Sequence, residues 1–346
     1  MKSETTFSIG FVLITLLIQL VFPGIVVFAD ENHGADYSVH PILPDNQREG
    51  RSFFDLRVEP GTKQTLQIQI NNFSDQEQTY FINVNTAQTN GNIVIDYGQN
   101  ELPEESIVQQ PICALVDYPK EAVIPGNKAG VVTLEVQAPD TSFDGILLGG
   151  IQVKKDFSAE KEESNQPFFS EYAYVVGLMM SANDKEVVPD LKLNEVRSEV
   201  ITNNAGVVAV LENPQPINIK GVTVEATVHS KGREEPIMTR KIENGGIAPE
   251  SVFAMPIYHG EAGNTKPLES GDYQLLVEAQ DETGQKWLLT KDFTITKEQA
   301  NSVNHEVFTV ENNTNSLLYI IIGALAAVLL VGSFYVYRRG KKFRRR

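Results

Sequence analysis

A chain of 346 residues with a single cysteine, Cys113, cannot close an internal disulfide, so a scaffold stapled by cross-links is excluded and folding must rely on apolar cores. Cys113 stands in QQPICALVDYP among apolar neighbours, with no histidine near it in sequence. That context reads as a buried small hydrophobe rather than a nucleophile. Histidine is scarce too: His33, His40, His229, His259 and His305 are scattered, and there is no H-E-x-x-H, no cysteine pair and no G-x-S-x-G elbow. These absences remove the sequence signatures of a metal site and of a nucleophilic triad. Acidic pairs such as Glu104 with Glu105 and Glu234 with Glu235 read as solvated loop charges. Glycosidase chemistry needs two carboxylates facing each other across a cleft, so a cell-wall hydrolase requires the fold to bring distant acids together. The expectation is a protein that is not an enzyme, with no cofactor and no metal.

The long apolar runs lie at the two ends. Residues 7–28 follow Lys2 and lead into VVFAD, which reads as a secretory leader over residues 1–29 cleaved after Ala29, an uncleaved N-terminal anchor being the alternative. LLYIIIGALAAVLLVGSFYVY, residues 317–337, carries no charge and as a helix spans roughly 31 Å, the thickness of bilayer hydrocarbon. The tail that follows, RRGKKFRRR at 338–346, has seven basic residues. By the positive-inside rule the tail is cytoplasmic and the bulk of the chain extracellular, so a single-pass protein of the cell membrane is expected. There is no L-P-x-T-G string, which leaves the helix as the expected anchor.

The formal net charge is −16; Lys2 and Glu4 cancel and the tail contributes +7, so residues 30–316 carry −23. So acidic an ectodomain is a poor partner for nucleic acid, and none is expected.

Between the ends, apolar and polar residues alternate with period two. TKQTLQIQINN puts Leu66, Ile68 and Ile70 on one face, QTYFINVNTAQ does the same with Tyr80, Ile82 and Val84, and GNIVIDYG, GVVTLEVQAP and YAYVVGLMM read as further strands. Turn clusters such as NFSDQ and PGNKAG separate them, and no convincing amphipathic helix intervenes. SANDKEVVPD interrupts the pattern, after which seven strands follow within one domain's length. The expected fold is all-β: two immunoglobulin-like β-sandwich domains in tandem, followed by one C-terminal transmembrane helix. The boundaries are 30–182 for the first sandwich, 183–189 for a linker, 190–297 for the second sandwich and 298–316 for a juxtamembrane stalk.

DGILLGGIQVKK raises the question of a phosphate loop, which needs glycines between a strand and a helix. Nothing helical follows, so the stretch reads as one strand of a hairpin completed by YAYVVGLMM, with Gly149 and Gly150 marking close backbone approach or a bulge. PLESGDYQLLVEA has the form of a tyrosine corner, Tyr273 bonding a nearby backbone group. Trp287, the single tryptophan, reads as second-domain core, an interface hot spot being the alternative.

SFFDLRVEPGTKQTLQIQINN, DGILLGGIQV and YAYVVGLMM resemble the first domain of the WxL-interacting proteins of Gram-positive bacteria. LENPQPINIKGVTVEATV, IAPESVFAMPI, PLESGDYQLLVEA and KWLLTKDFTI resemble their second. Glu250 in APES departs from the asparagine expected in that family, which puts the hydrogen bonding of that turn in question. The resemblance implies a peptidoglycan-binding first domain, a second domain associated with host binding, and secreted WxL-domain proteins as partners. An adhesin whose main ligand is a host extracellular-matrix protein is the second implied reading.

Glycan recognition uses aromatic faces against sugar rings and planar amides against hydroxyls. TNGNIVIDYGQNELPEE supplies Asn90, Asn92, Asp96, Tyr97 and Asn100 together, and VDYPKE adds Tyr118 and Lys120. These seven are the expected binding residues. The competing reading has Tyr97 packed on a strand and the asparagines merely turning the chain.

Overall fold

The fold is taken from a computed structural model that describes residues 36–158, 171–261 and 263–308, with residues 321, 322, 324, 325 and 332. The leader, residues 159–170 of the loop after DGILLGGIQVKK, the end of the stalk and most of the 317–337 span lie outside the described residues. Among the described residues no helix is long and apolar enough to cross a membrane.

The first sandwich and its appendages use β1 (Tyr37–Ile42), β2 (Phe54–Arg57), β3 (Lys63–Asn72), β4 (Gln78–Thr86), β5 (Gln88–Thr89), β6 (Ile95–Asp96), β7 (Val116–Asp117), β8 (Glu121–Ile124), β9 (Ala129–Gln137), β10 (Leu147–Lys155) and β11 (Ala173–Ser181). One sheet runs β1-β3-β9-β7 and the other β2-β11-β10-β4-β8. The alternating residues of β3 and β4 do what their period requires: Leu66, Ile68, Ile70, Tyr80, Ile82 and Val84 all enter one core. β10 and β11 form the expected antiparallel pair, Gly150 opposite Gly177. β2 lies parallel to β11 while β1 joins the opposite sheet, so the first segment of the domain is shared between both sheets.

The second sandwich uses β12 (Lys192–Ile201), β13 (Asn204–Asn213), β14 (Ile219–Ser230), β15 (Pro236–Ile247) and β16 (Ser251–Tyr258), then a small ribbon of β17 (Gly260–Glu261) and β18 (Asn264–Thr265), then β19 (Gly271–Gln280) and β20 (Lys286–Ile295). Sheets β12-β13-β16 and β15-β14-β19-β20 give the seven-strand, two-sheet plan of an immunoglobulin-like domain. The Tyr273 hydroxyl donates to the Glu269 carbonyl at 2.8 Å, closing the tyrosine corner. Trp287 is a member of this core.

Two expectations need correction. GNIVIDYG is not a sandwich strand: Ile95 and Asp96 pair with Gln88 and Thr89 in a short separate hairpin. The alternation breaks at Ile93, whose φ of 56° lies in the left-handed region that β-branched residues avoid. The expected stalk also begins too early, because residues 297–308 are helical. Thr296 and Gln299 form a reciprocal capping box, the Thr296 Oγ1 accepting from the Gln299 N–H at 3.2 Å and the Gln299 Oε1 accepting from the Thr296 N–H at 2.9 Å. Ala300, Val303 and Val307 then face the second core, and Asn304 exchanges two hydrogen bonds with the backbone of Leu268.

At one end of the first sandwich Lys155, nearly enclosed, places its Nζ 2.5 Å from the Asp36 carboxylate. The Tyr172 hydroxyl donates to the same carboxylate at 2.7 Å. Burial alone would raise the Asp36 carboxyl; the bonds from Lys155 and Tyr172 and the ammonium charge outweigh it and hold the carboxyl below its ordinary value. A lowered value in the folded state means that the unfolded chain binds the proton first on acidification. The stability contributed by Asp36 is therefore complete above the ordinary carboxyl range near pH 4 and is lost as pH falls through the lowered value. Asp36→Asn is expected to cost about 1–3 kcal/mol at pH 7. Urea unfolding of both proteins as a function of pH checks this: the difference should close in acid, and a difference unchanged at the lowest pH would refute the assignment.

Candidate functional site

Gly149 and Gly150 point to opposite faces of β10, and each makes room for something different. A Cβ on Gly149 would overlap the Asn85 carbonyl and an Ile112 methyl inside the sandwich. On the outer face, a Cβ at Gly150 would stand 3.0 Å from the Cβ and Cγ of Tyr97, and one at Gly177 would stand 3.4 Å from the Phe53 ring. The cross-strand pair Gly150 and Gly177 is thus a shelf without side chains on which Tyr97 and Phe53 rest. Asn85, buried on the adjacent strand, donates from Nδ2 to the Tyr97 carbonyl at 2.7 Å and fixes the approach of that loop.

Between these two aromatic residues and the edge of the sandwich lies a groove of about 470 Å³. β1 contributes His40, the segment before β2 contributes Arg51 and Phe53, and β10 and β11 contribute Leu148, Val175 and Met179. Asn218 and Lys220 reach it from the second sandwich, so both domains line it. Phe53 faces outward because its neighbour Phe54 is committed to the core. The Arg51 guanidinium lies 5.9 Å from the Phe53 ring centre and 3.4 Å from the Asp55 carboxylate, which is itself buried and also faces Arg48 at 3.7 Å. Burial raises the Tyr97 phenol further above its ordinary range, which itself lies well above neutral pH, and the protonated hydroxyl can donate.

The seven residues expected from the sequence do not form one site. Of them only Tyr97 lines the groove. Asn90 shapes the hairpin, its Oδ1 accepting from the N–H groups of Asn92 at 2.9 Å and Val94 at 3.2 Å. Asn92 crosses to the second domain, its Oδ1 accepting from Arg240 at 2.7 Å. Asp96 accepts from the Gly98 N–H at 2.7 Å, and Asn100 is exposed in the loop that follows. Tyr118 and Lys120 stand apart beside β8, at the opposite edge of the sheet from β2, with the ammonium 3.7 Å from the ring centre. Sequence reasoning missed Phe53, Arg51 and Lys220. For Phe53 the signal was present, since two consecutive phenylalanines at a strand start cannot both face inward.

The hairpin carrying Asn90 and Asn92 serves chiefly to join the domains. Ile93 is fully enclosed and belongs to the second domain's core, although its chain segment springs from the first. Its carbonyl accepts from the Gly246 N–H at 2.8 Å. Thr89 accepts from the Ala248 N–H at 3.0 Å and from the Ser251 hydroxyl at 2.7 Å, both in buried surroundings. Glu250, at a φ of 46°, bonds its own N–H to the Gln215 carbonyl at 3.0 Å while its carboxylate accepts from the Gln109 N–H at 3.1 Å. The glutamate thus gives its turn an interdomain bond. Cys113 is half-buried rather than enclosed, and its sulfur accepts from the buried Thr86 hydroxyl at 3.3 Å.

Comparison with known proteins gives two family matches in tandem. Residues 37–155 match the WxL Interacting Protein, peptidoglycan binding domain, and residues 163–305 match the WxL Interacting Protein, host binding domain. The second match begins before β11, yet the hydrogen bonds of β11 are all with the first sandwich, so the structural division falls later than the division between the two matches. None of the curated proteins compared with this chain matches it. Similar solved structures include the Pseudomonas aeruginosa CupB2 chaperone, 16% identical over 69% of this chain and 96% of that one, TM-score 0.28. The E. coli chaperone DraB is also 16% identical, over 75% of this chain and 98% of that one, TM-score 0.27. The overlap is low in both cases, and the two-sandwich description rests on this chain's own strand pairing.

Proposed function

The chain belongs to the WxL-interacting protein family, and from that premise we propose that it is a membrane-anchored surface adaptor, holding peptidoglycan with its first domain while a secreted WxL-domain protein and host proteins are its other partners. The family assigns a peptidoglycan-binding domain and a host-binding domain at the cell surface. The uncharged run at 317–337 followed by seven basic residues supports the anchor and an extracellular position for both sandwiches. Adhesion to a host matrix protein through the second domain is the companion reading, favoured by the host-binding match over residues 163–305.

For the wall ligand, the groove beside Phe53 and Tyr97 is the proposed seat. The observation that carries this is the glycine shelf: two outward aromatic rings are held in place beside an amide, Asn218, in a depression wide enough for a saccharide. Aromatic faces pack against the C–H faces of sugar rings, and the amide and the Tyr97 hydroxyl can meet ring hydroxyls.

The test is a pull-down of the full-length protein, in detergent, on purified wall. Phe53→Ser combined with Tyr97→Ala is expected to weaken binding at least about tenfold, the equivalent of about 1.4 kcal/mol for two lost stacking faces. Thermal unfolding run in parallel separates lost contact from lost fold. Undiminished wall binding by a folded double variant would exclude the groove.

A further inference from the structure

The groove carries charge of the sign opposite to its surroundings. Residues 30–316 hold a net −23, yet among the described residues no aspartate or glutamate lines the groove, while the cations Arg51 and Lys220 and the imidazole of His40 do. Two of these three are already engaged. Arg51 faces Asp55, and the His40 ring is 3.1 Å from the Ser38 hydroxyl. Lys220 differs: among the described residues no carboxylate stands within ion-pair distance of its ammonium. Its neighbour Glu282 reaches it through the backbone, donating its N–H to the Lys220 carbonyl at 3.1 Å.

We propose that the groove selects a saccharide bearing a single carboxylate, with the rings against Phe53 and Tyr97 and the carboxylate on Lys220 of the second sandwich. This rests on the reading of the groove as the wall-glycan site. The chemistry follows from the character of Lys220: an exposed ammonium without an ion-pair partner among the described residues complements a carboxylate, and a charge-assisted bond of this kind is stronger than a neutral hydrogen bond while remaining open to screening by salt. Arg51 is drawn towards the buried Asp55, which it shares with Arg48, and this leaves Lys220 as the cation of the groove with no carboxylate beside it. The position of Lys220 depends on the interdomain clamp at Ile93, because Lys220 opens β14 of the second domain whereas the aromatic wall belongs to the first.

The experiment measures binding of the full-length protein in detergent to a peptide-free wall disaccharide with one free carboxyl group, to the same disaccharide with that carboxyl amidated, and to a neutral chito-oligosaccharide. The free acid is expected to bind about tenfold more tightly than the amidated fragment at low salt, an advantage that shrinks as salt is raised. Lys220→Gln should reduce free-acid affinity about tenfold and abolish the preference. Lys231→Gln, with the same charge change at the far end of β14 where Lys231 pairs with Asp292, should keep it. Equal binding of acid and amide, a preference that survives Lys220→Gln, or tighter binding of a phosphate-bearing wall polymer would each overturn the proposal. Phe53→Ser separates the two levels of inference: if it weakens every fragment while acid and amide bind alike, the glycan site stands and the carboxylate selection falls. If it weakens none, the glycan site itself is wrong.

Discussion

Replacing Ile93 by aspartate is expected to separate the two sandwiches, at a cost of roughly 3–5 kcal/mol in the stability of the second domain. The side chain is fully enclosed among residues of the second core, and a carboxylate there would have neither water nor a cation. The hairpin would leave rather than bury the charge, and the bonds of Thr89 to Ala248 and Ser251 would be lost with it. The backbone sharpens the test. At a φ of 56° a branched side chain is strained by about 1–3 kcal/mol, a cost that glycine does not bear. Ile93→Gly is therefore expected to be less damaging than Ile93→Ala by about 1 kcal/mol, the reverse of the order found in ordinary strands. Urea unfolding of the three variants gives the order, and limited proteolysis at the hairpin reports undocking. An aspartate variant that unfolded like the parent and resisted proteolysis would mean that the hairpin does not clamp the domains.

Gly149→Ala should cost about 1–3 kcal/mol or more in the first domain. The added methyl would collide with a carbonyl of the neighbouring strand β4, which its ladder with β10 holds in place, as well as with Ile112. Side chains can swing away from such a collision; a sheet backbone cannot without breaking hydrogen bonds. Gly150→Ala offers a contrast, because its nearest neighbours are side-chain atoms of Val175 and Tyr97. It should cost less stability but displace Tyr97, so its signature is weakened wall binding with a nearly unchanged unfolding midpoint. If the two alanine variants proved equally stable, the assignment of the two glycines to opposite faces of β10 would be wrong.

Some of this could be read directly from the chain. Period-two alternation in β3, β4 and β10, and the seven strands after residue 190, followed from residue order alone, because a half-buried strand has one way to place its apolar face. The tyrosine corner at Tyr273 was legible for the same reason, its partner lying four residues away. The capping box at Thr296 and Gln299 is also legible, and the spacing of Ala300, Val303 and Val307 with it, but the polar residues between them give the segment the composition of a stalk.

The site is another matter. Its members come from β1, the segment before β2, the loop at Tyr97, β11 and the second domain, and are spread through the chain from Val39 to Lys220. Composition suggested that asparagines near Tyr97 were ligand contacts. The tertiary structure instead uses Asn90 and Asn92 to build and dock a hairpin. Local pattern determines which face of a strand is apolar, since that depends on neighbours two residues apart. Which distant surfaces meet is decided by the packing of one domain on another. The sequence alone thus determined the tandem β architecture, the acidity of residues 30–316 and the apolar segment at 317–337. Only the tertiary structure decided that Ile93 joins the other domain's core and that Lys220 comes to stand in a groove with Phe53 and Tyr97, because no periodicity encodes contacts between residues so far apart in the chain.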